Sequence, residues 1–282
     1  MKRLLSCVLA ALALLLAQTS ARASDQSVLD DLFTAQEWQA KGNLAAARRS
    51  LEQALHTDPA NVFTALRLAQ IDALLGDLDH ALPQLESLLR QDPGNMLVLR
   101  WKGHVLLAKG QADQAKDCYS RILTLDPDNG WAWLGIAASL LDQGTPEADR
   151  EAAAALGKAQ ANAGEDADLR VALSDIFARL RLLANARLEL ERALNCNPRS
   201  ANTLTLAGEA YLRLGLEGLA LDSWRQALAL DPAASRARAD LLILLGIQAP
   251  KAQNAGDAEL AARLRREMQT YDPGGGVVPA IH

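Results

Sequence analysis

The chain has 282 residues, half of them apolar and 22% charged, with 29 Lys+Arg against 34 Asp+Glu for a formal net charge of −5. An acidic balance lacks the basic face that phosphate neutralisation requires, so nucleic acid is not an expected partner. The apolar and charged fractions are those of a chain that folds around its own core, neither disordered nor membrane-embedded.

The first element is a leader. Met1, Lys2 and Arg3 give a basic start, Leu4 to Ala17 are apolar over 14 residues, and Ala21-Arg22-Ala23 supplies an A-x-A site. That order reads as a secretory signal peptide, residues 1–23, cut between Ala23 and Ser24. A helix needs about 20 apolar residues to span a bilayer, so no stable membrane span is expected after cleavage. The protein is then periplasmic or secreted, and losing Lys2, Arg3 and Arg22 takes its charge to −8. The alternative is a membrane-tethered accessory lipoprotein, because Leu4-Leu5-Ser6-Cys7 has a superficial lipoprotein-box look. In a true box the apolar run precedes the cysteine, whereas here it follows.

Beyond the leader the chain repeats. Asp-Pro or Asn-Pro recurs at Pro59, Pro93, Pro127, Pro198, Pro232 and Pro273, with gaps of 34, 34, 71, 34 and 41. Other columns keep the same phase. Small residues recur at Ala35, Ala69, Gly103, Ala137, Ser174 and Gly208, and loop glycines at Gly42, Gly76, Gly110, Gly144 and Gly215. Alanine returns at Ala47, Ala81, Ala115, Ala152, Ala186 and Ala220, each followed four residues later by Leu51, Leu85, Tyr119, Leu156, Leu190 or Trp224. Small groups let two helices approach, glycine stops the first, proline stops the second, and the bulky groups fill the space between units.

These columns, clearest in Gly208-Glu209-Ala210-Tyr211, Gly215, Ala220, Trp224, Ala227 and Asp231-Pro232, resemble the tetratricopeptide repeat family. The resemblance implies an all-α fold, a right-handed α-solenoid of tandem two-helix repeats over 24–273, with units 28–61, 62–95, 96–129, 130–166, 167–200 and 201–234 and a degenerate seventh, 235–273. In the seventh, a helix near Ala237–Leu245 is expected to give way to an irregular Ile247–Gly256 insertion before a second helix near Asp257–Thr270. The tail 274–282 is expected to be disordered. Unit four carries three extra residues after Gly144 and ends without Asp-Pro, which reads either as a hinge or as a tolerated loop insertion. Unit five has Arg181 in place of the loop glycine.

No catalytic constellation is present: the sequence has no H-E-x-x-H, C-x-x-C, G-x-S-x-G or phosphate-binding glycine loop, and its four histidines are scattered. Asp126-Pro127-Asp128-Asn129-Gly130 has a faint calcium-loop look, but its glycine is one place early and Ala137 stands where a bidentate glutamate belongs. Cys118 and Cys196 fall two repeats apart, beyond the roughly 7 Å between α-carbons that a disulfide allows. Neither a cofactor nor a metal is expected, and an enzymatic role is the least favoured reading.

What remains is surface. In this family the first helix of each repeat faces an inner, concave side that holds protein ligands. The expected protein-binding residues there are Phe63, Arg67 and Gln70 in unit two, Leu97, Arg100, Trp101 and His104 in unit three, and Trp131 and Leu134 in unit four. Trp38, Trp133 and Trp224 fall on core columns, while Trp101 and Trp131 do not; aromatics beside arginine are the composition of binding hot spots, although packing between neighbouring helices would also account for them. In units five and six the same face is mixed and polar, with Asp168, Asp175, Arg179, Asn202, Glu209 and Arg213. Family members that clamp acidic chaperone tails use lysine, arginine and asparagine, where this chain has Leu32, Gln36, Leu97 and Trp101. The sequence therefore predicts an exported scaffold or adaptor for an extended segment of another protein, in envelope assembly such as pilus, secretion or polysaccharide-export systems.

Overall fold

Helix-capping residues recur along the chain at the same interval as the columns, and they set where each helix begins. The computed structural model describes residues 26–273; the leader and its cleavage site, Cys7 and the tail 274–282 lie outside the described residues. Among the described residues there are fourteen helices and no strand. They divide into two compact units, one through Leu125 and one from Asp126.

The first unit holds three helix pairs: α1 (26–40) with α2 (Leu44–Thr57), α3 (Val62–Leu74) with α4 (Leu78–Gln91), and α5 (Met96–Ala108) with α6 (Ala112–Leu125). The second holds α7 (Gly130–Leu141) with α8 (Pro146–Ala161), α9 (Ala167–Arg179) with α10 (Leu183–Cys196), α11 (Ala201–Arg213) with α12 (Glu217–Leu230), and α13 (Ser235–Asn254) with α14 (Ala258–Tyr271). Short turns join the members of each pair, so they pack side by side as helical hairpins.

Asn61, Asn95, Asn129, Asp166 and Ser200 cap the first helices, each side-chain oxygen accepting from the backbone N–H three residues on. The Asp-Pro pairs do more than stop the second helices. Asp58, Asp92 and Asp231 each accept from the N–H two residues on, at 3.2, 3.2 and 2.8 Å, closing a turn over the proline. Asp126–Gly130 is such a turn, with Asn129 Nδ2 donating to Asp126, and no metal-binding cluster occurs among the described residues.

The columns become contacts inside the hairpins. A Cβ added at Gly103 would lie 2.5 Å from the Tyr119 ring, and one at Gly208 would lie 2.4 Å from Trp224 Nε1. Both aromatic residues are fully buried. Trp224 also donates to the Thr205 carbonyl at 3.2 Å, which satisfies the one polar atom of its ring. His104 is half-buried beside the first of these contacts, its ring edge-on to Tyr119 at 6.0 Å and to Trp101 at 5.7 Å. Buried carboxylates tie helices together: Asp72 meets Arg48 at 3.0 Å and Gln84 at 2.9 Å in the first unit. In the second, Glu189 meets Arg170 at 2.8 Å and Arg192 and Gln160 at 2.7 Å.

Two irregularities resolve differently from expectation. The three extra residues of unit four lengthen no loop. Gly144 takes the usual positive φ, Thr145 caps, and α8 begins at Pro146, so the insertion is nearly one extra helical turn ahead of Ala152. Ile247–Gly256 is likewise not an irregular insertion, since α13 runs unbroken through it to Asn254 and tolerates Pro250. Both cysteines are free, Cys118 buried and Cys196 partly so; burial pushes the Cys118 thiol up from its ordinary value.

Arg181 is the one non-glycine with positive φ, 62°, among the described residues. A left-handed arginine costs about 1–3 kcal/mol, of which glycine recovers all but its own chain entropy. Arg181→Gly is expected to raise the stability of the protein by about 1 kcal/mol in a denaturant titration. Gly208→Ala is expected to lower it by about 1–3 kcal/mol through overpacking against Trp224, although alanine is the better helix former.

Burial, then Arg100, pushes the His104 pKa down to about 4. Its ordinary value lies near 6.5, so between the two the unfolded chain binds the extra proton. This stability is complete above about pH 6.5 and is lost as pH falls toward 4. Allowing for the ring's partial exposure, the loss is expected to be about 1–2 kcal/mol. Thermal melts from pH 7 to 4 should show a shallower decline for His104→Gln than for the parent.

Candidate functional site

Because Asn61 and Asn95 cap their helices identically, residues 34 apart occupy the same place on α3 and α5. Phe63 and Leu97 form one row, Leu66 and Arg100 a second, Arg67 and Trp101 a third, Gln70 and His104 a fourth. Phe63 is 61% exposed and Leu97 43%. Each sits in the first turn of its helix.

Arg67 is half-buried and its guanidinium reaches Gln39 Oε1 on α1 at 2.6 Å and Gln70 Oε1 at 3.5 Å. Both of these partners are neutral amides, so the bonds fix the guanidinium between α1 and α3 without cancelling its charge. Arg100 is half-buried in the row below. Trp101 is also half-buried, its ring edge-on to His104 at 5.7 Å. It is therefore both packing and surface, an outcome between the two readings of the sequence.

Trp131 and Leu134 belong to the second unit. Trp131 is half-buried, and its Nε1 donates to Asp166 Oδ2 at 2.8 Å, joining α7 to the cap of α9. Leu134 is corrected: it is 6% exposed, as is expected of the row that buries Leu66 at 7%. It is a core residue and not a contact residue.

Sequence reasoning missed two members of the surface. Leu29 and Phe33 on α1 are 48% and 65% exposed and stand 34 residues before Phe63 and Arg67. Extending the rows backward by one repeat would have found them. Two tryptophans assigned to the core also move outward. Trp38 is exposed, with Lys41 Nζ 5.1 Å from its ring centroid. Trp133 is half-buried under Lys158 Nζ at 3.9 Å, its Nε1 donating to the Pro127 carbonyl. Trp224 alone of the three is sealed.

The first helices of the second unit differ in kind. Arg179 pairs with Asp142 at 3.7 Å, Arg213 with Asp175 at 2.6 Å, and Arg236 with Glu209 at 2.6 Å, each arginine reaching an acid on the preceding first helix or its cap. Burial raises the Glu209 carboxyl against the opposing pull of Arg236. These positions satisfy one another, whereas Leu29, Phe33, Phe63 and Leu97 are exposed apolar groups.

No curated protein matches the sequence. The family model of the tetratricopeptide repeat-like domain matches residues 10–132. Among solved structures, a thermophilic TPR protein of Thermus thermophilus is 20% identical with a TM-score of 0.53, covering 65% of this chain and 98% of its own. Yeast Tom70 is 15% identical with a TM-score of 0.58, and the match covers 90% of this chain and 55% of that one. The solved structures establish the α-solenoid fold, residues 10–132 match the tetratricopeptide repeat-like domain, and the 34-residue columns, seen here as packed hairpins, carry that repeat's architecture through the described residues.

Proposed function

We propose that this chain is an exported scaffold whose first unit holds an extended apolar and acidic segment of another protein against Leu29, Phe33, Phe63, Arg67, Leu97 and Trp101. Tetratricopeptide repeat proteins are protein-interaction scaffolds, generally without catalysis of their own. The observation that carries the narrower reading is the exposure of large apolar groups in register on α1, α3 and α5, beside a guanidinium held by neutral partners. Apolar side chains of a ligand would be covered by the first, and a carboxylate would pair with the second. Export rests on the order of features in residues 1–23. Among the described residues no helix is long and apolar enough to cross a membrane. An envelope-assembly role rests on analogy between exported repeat proteins.

The test begins with the native leader in a bacterial host. The expected product is periplasmic, with an intact mass starting at Ser24; lipid on Cys7 or a retained Met1 would overturn export in this form. Partners captured by that product from a periplasmic extract are then compared with those of Phe63→Asp combined with Leu97→Asp. Losing two anchors should weaken capture by about 2–4 kcal/mol, a thirty-fold or greater loss of affinity, with melting unchanged because both groups are exposed. Equal capture by a variant that melts like its parent removes this surface from the binding site.

A further inference from the structure

The reading of the first unit as a peptide-holding surface leaves open which peptide conformation fits it, and the repeat itself supplies a ruler. Leu29, Phe63 and Leu97 are 34 residues apart, occupy the same place on α1, α3 and α5, and are each more than two-fifths exposed. Neighbouring first helices are packed against each other: Arg67 on α3 bonds Gln39 on α1, and α3 meets α5. Packed helices stand about 8–10 Å apart, so this row presents an apolar group about every 9 Å.

We propose that, within the binding role given above, the partner segment is a polyproline-II stretch with an apolar residue at every third position and acidic residues between them. The polyproline-II helix has three residues per turn and a rise of about 3.1 Å, so side chains at i, i+3 and i+6 lie on one side about 9 Å apart. That spacing places one ligand side chain against each of Leu29, Phe63 and Leu97. A β-strand puts same-side groups about 6.7 Å apart and falls out of step after the first contact. An α-helix returns to one face about every 10.5 Å but also crowds the intervals with its i+3 and i+4 groups. Polyproline II has no internal hydrogen bonds and is already populated in unfolded chains, so little ordering is needed on binding.

The charge of the surface selects the intervening residues. Arg67 lies in the row beside Phe63 and is bonded to two amide oxygens, which leave its positive charge for an anion to meet. His104 is neutral at pH 7, its pKa pushed down to about 4, so it neither adds to nor competes with that charge. With three residues per turn, a carboxylate one or two residues from an apolar anchor projects about 120° around the peptide from it, toward the neighbouring row that carries the guanidinium.

The experiment uses three synthetic peptides of about twelve residues, with binding to the purified processed protein measured by fluorescence anisotropy. One carries leucine at every third position among proline and glutamate; the second has the same composition with those leucines moved to alternate positions of a shorter central stretch; the third is an acidic helix-former with leucine at i, i+3 and i+7. The first should bind about ten-fold or more tightly than either other. Phe63→Asp and Leu97→Asp should each weaken it by about ten-fold, and Leu182→Asp, an exposed leucine of the second unit, should leave it unchanged. If the second or third peptide wins, or the first is insensitive to Phe63→Asp and Leu97→Asp, the three-residue register is wrong. Should no peptide bind while captured partners are still lost from the double variant, the register fails and the binding surface stands. Should captured partners also survive, both fail.

Discussion

Everything in this protein depends on how closely two helices of a hairpin can approach. The approach is set by glycine or alanine on the first helix meeting a bulky ring or a leucine from the second, as Gly103 meets Tyr119 and Gly208 meets Trp224. At such a contact the core is filled by one large side chain lying flat on a backbone, which is why its partner has no room for even a methyl group. Capping asparagines, positive-φ glycines and Asp-Pro turns then serve to bring each new hairpin into the same phase. Once phase is kept, every outward-facing position is repeated as well, and a row of exposed apolar groups such as Leu29, Phe63 and Leu97 follows from the same geometry that builds the core.

The two units use that repetition in opposite ways. On the first helices of the first unit the repeated outward positions are apolar or carry an arginine held by amides, so exposed apolar groups recur from repeat to repeat. On those of the second unit the arginines and acids answer one another from helix to helix. Pairs as exposed as these add little to stability. Their effect is to occupy donors and acceptors on that surface, which leaves the two units with first helices of different character.

How much of this was legible in the sequence follows from what a period can encode. The column of alanines with a bulky residue four places on gave the hairpin packing directly, because spacing on a helix fixes which side chains face inward. The same logic placed Phe63, Leu97 and Arg67 on the surface. It failed where neighbouring rows share a boundary: Leu134 lies in the row of Leu66 and is buried, while Trp38 and Trp133 sit at an edge where a cation covers the ring instead of a core. It failed too where the period is broken. Extra residues after Gly144 and around Ile247 read as loops because they interrupt the columns, yet alanine, glutamate and leucine favour helix, and the chain absorbs them as longer helices.

The ion pairs that link successive first helices of the second unit all point the same way, arginine from the later helix to acid on the earlier one or its cap. A chain of one-way links has two unlike ends. Removing α7 and α8 would strand the guanidinium of Arg179, whose side chain is 60% exposed and already hydrated. Removing α13 and α14 would strand the carboxylate of Glu209, which is 15% exposed and raised by burial. An unpaired arginine at the surface costs almost nothing, whereas the carboxylate loses its guanidinium together with the cover that α13 gives it. The two ends therefore release different groups, a hydrated guanidinium at the amino-terminal side and a sheltered carboxylate at the carboxy-terminal side, where Arg225 also holds Glu267 of α14 at 2.7 Å, so the final hairpin fastens the series as well as capping it.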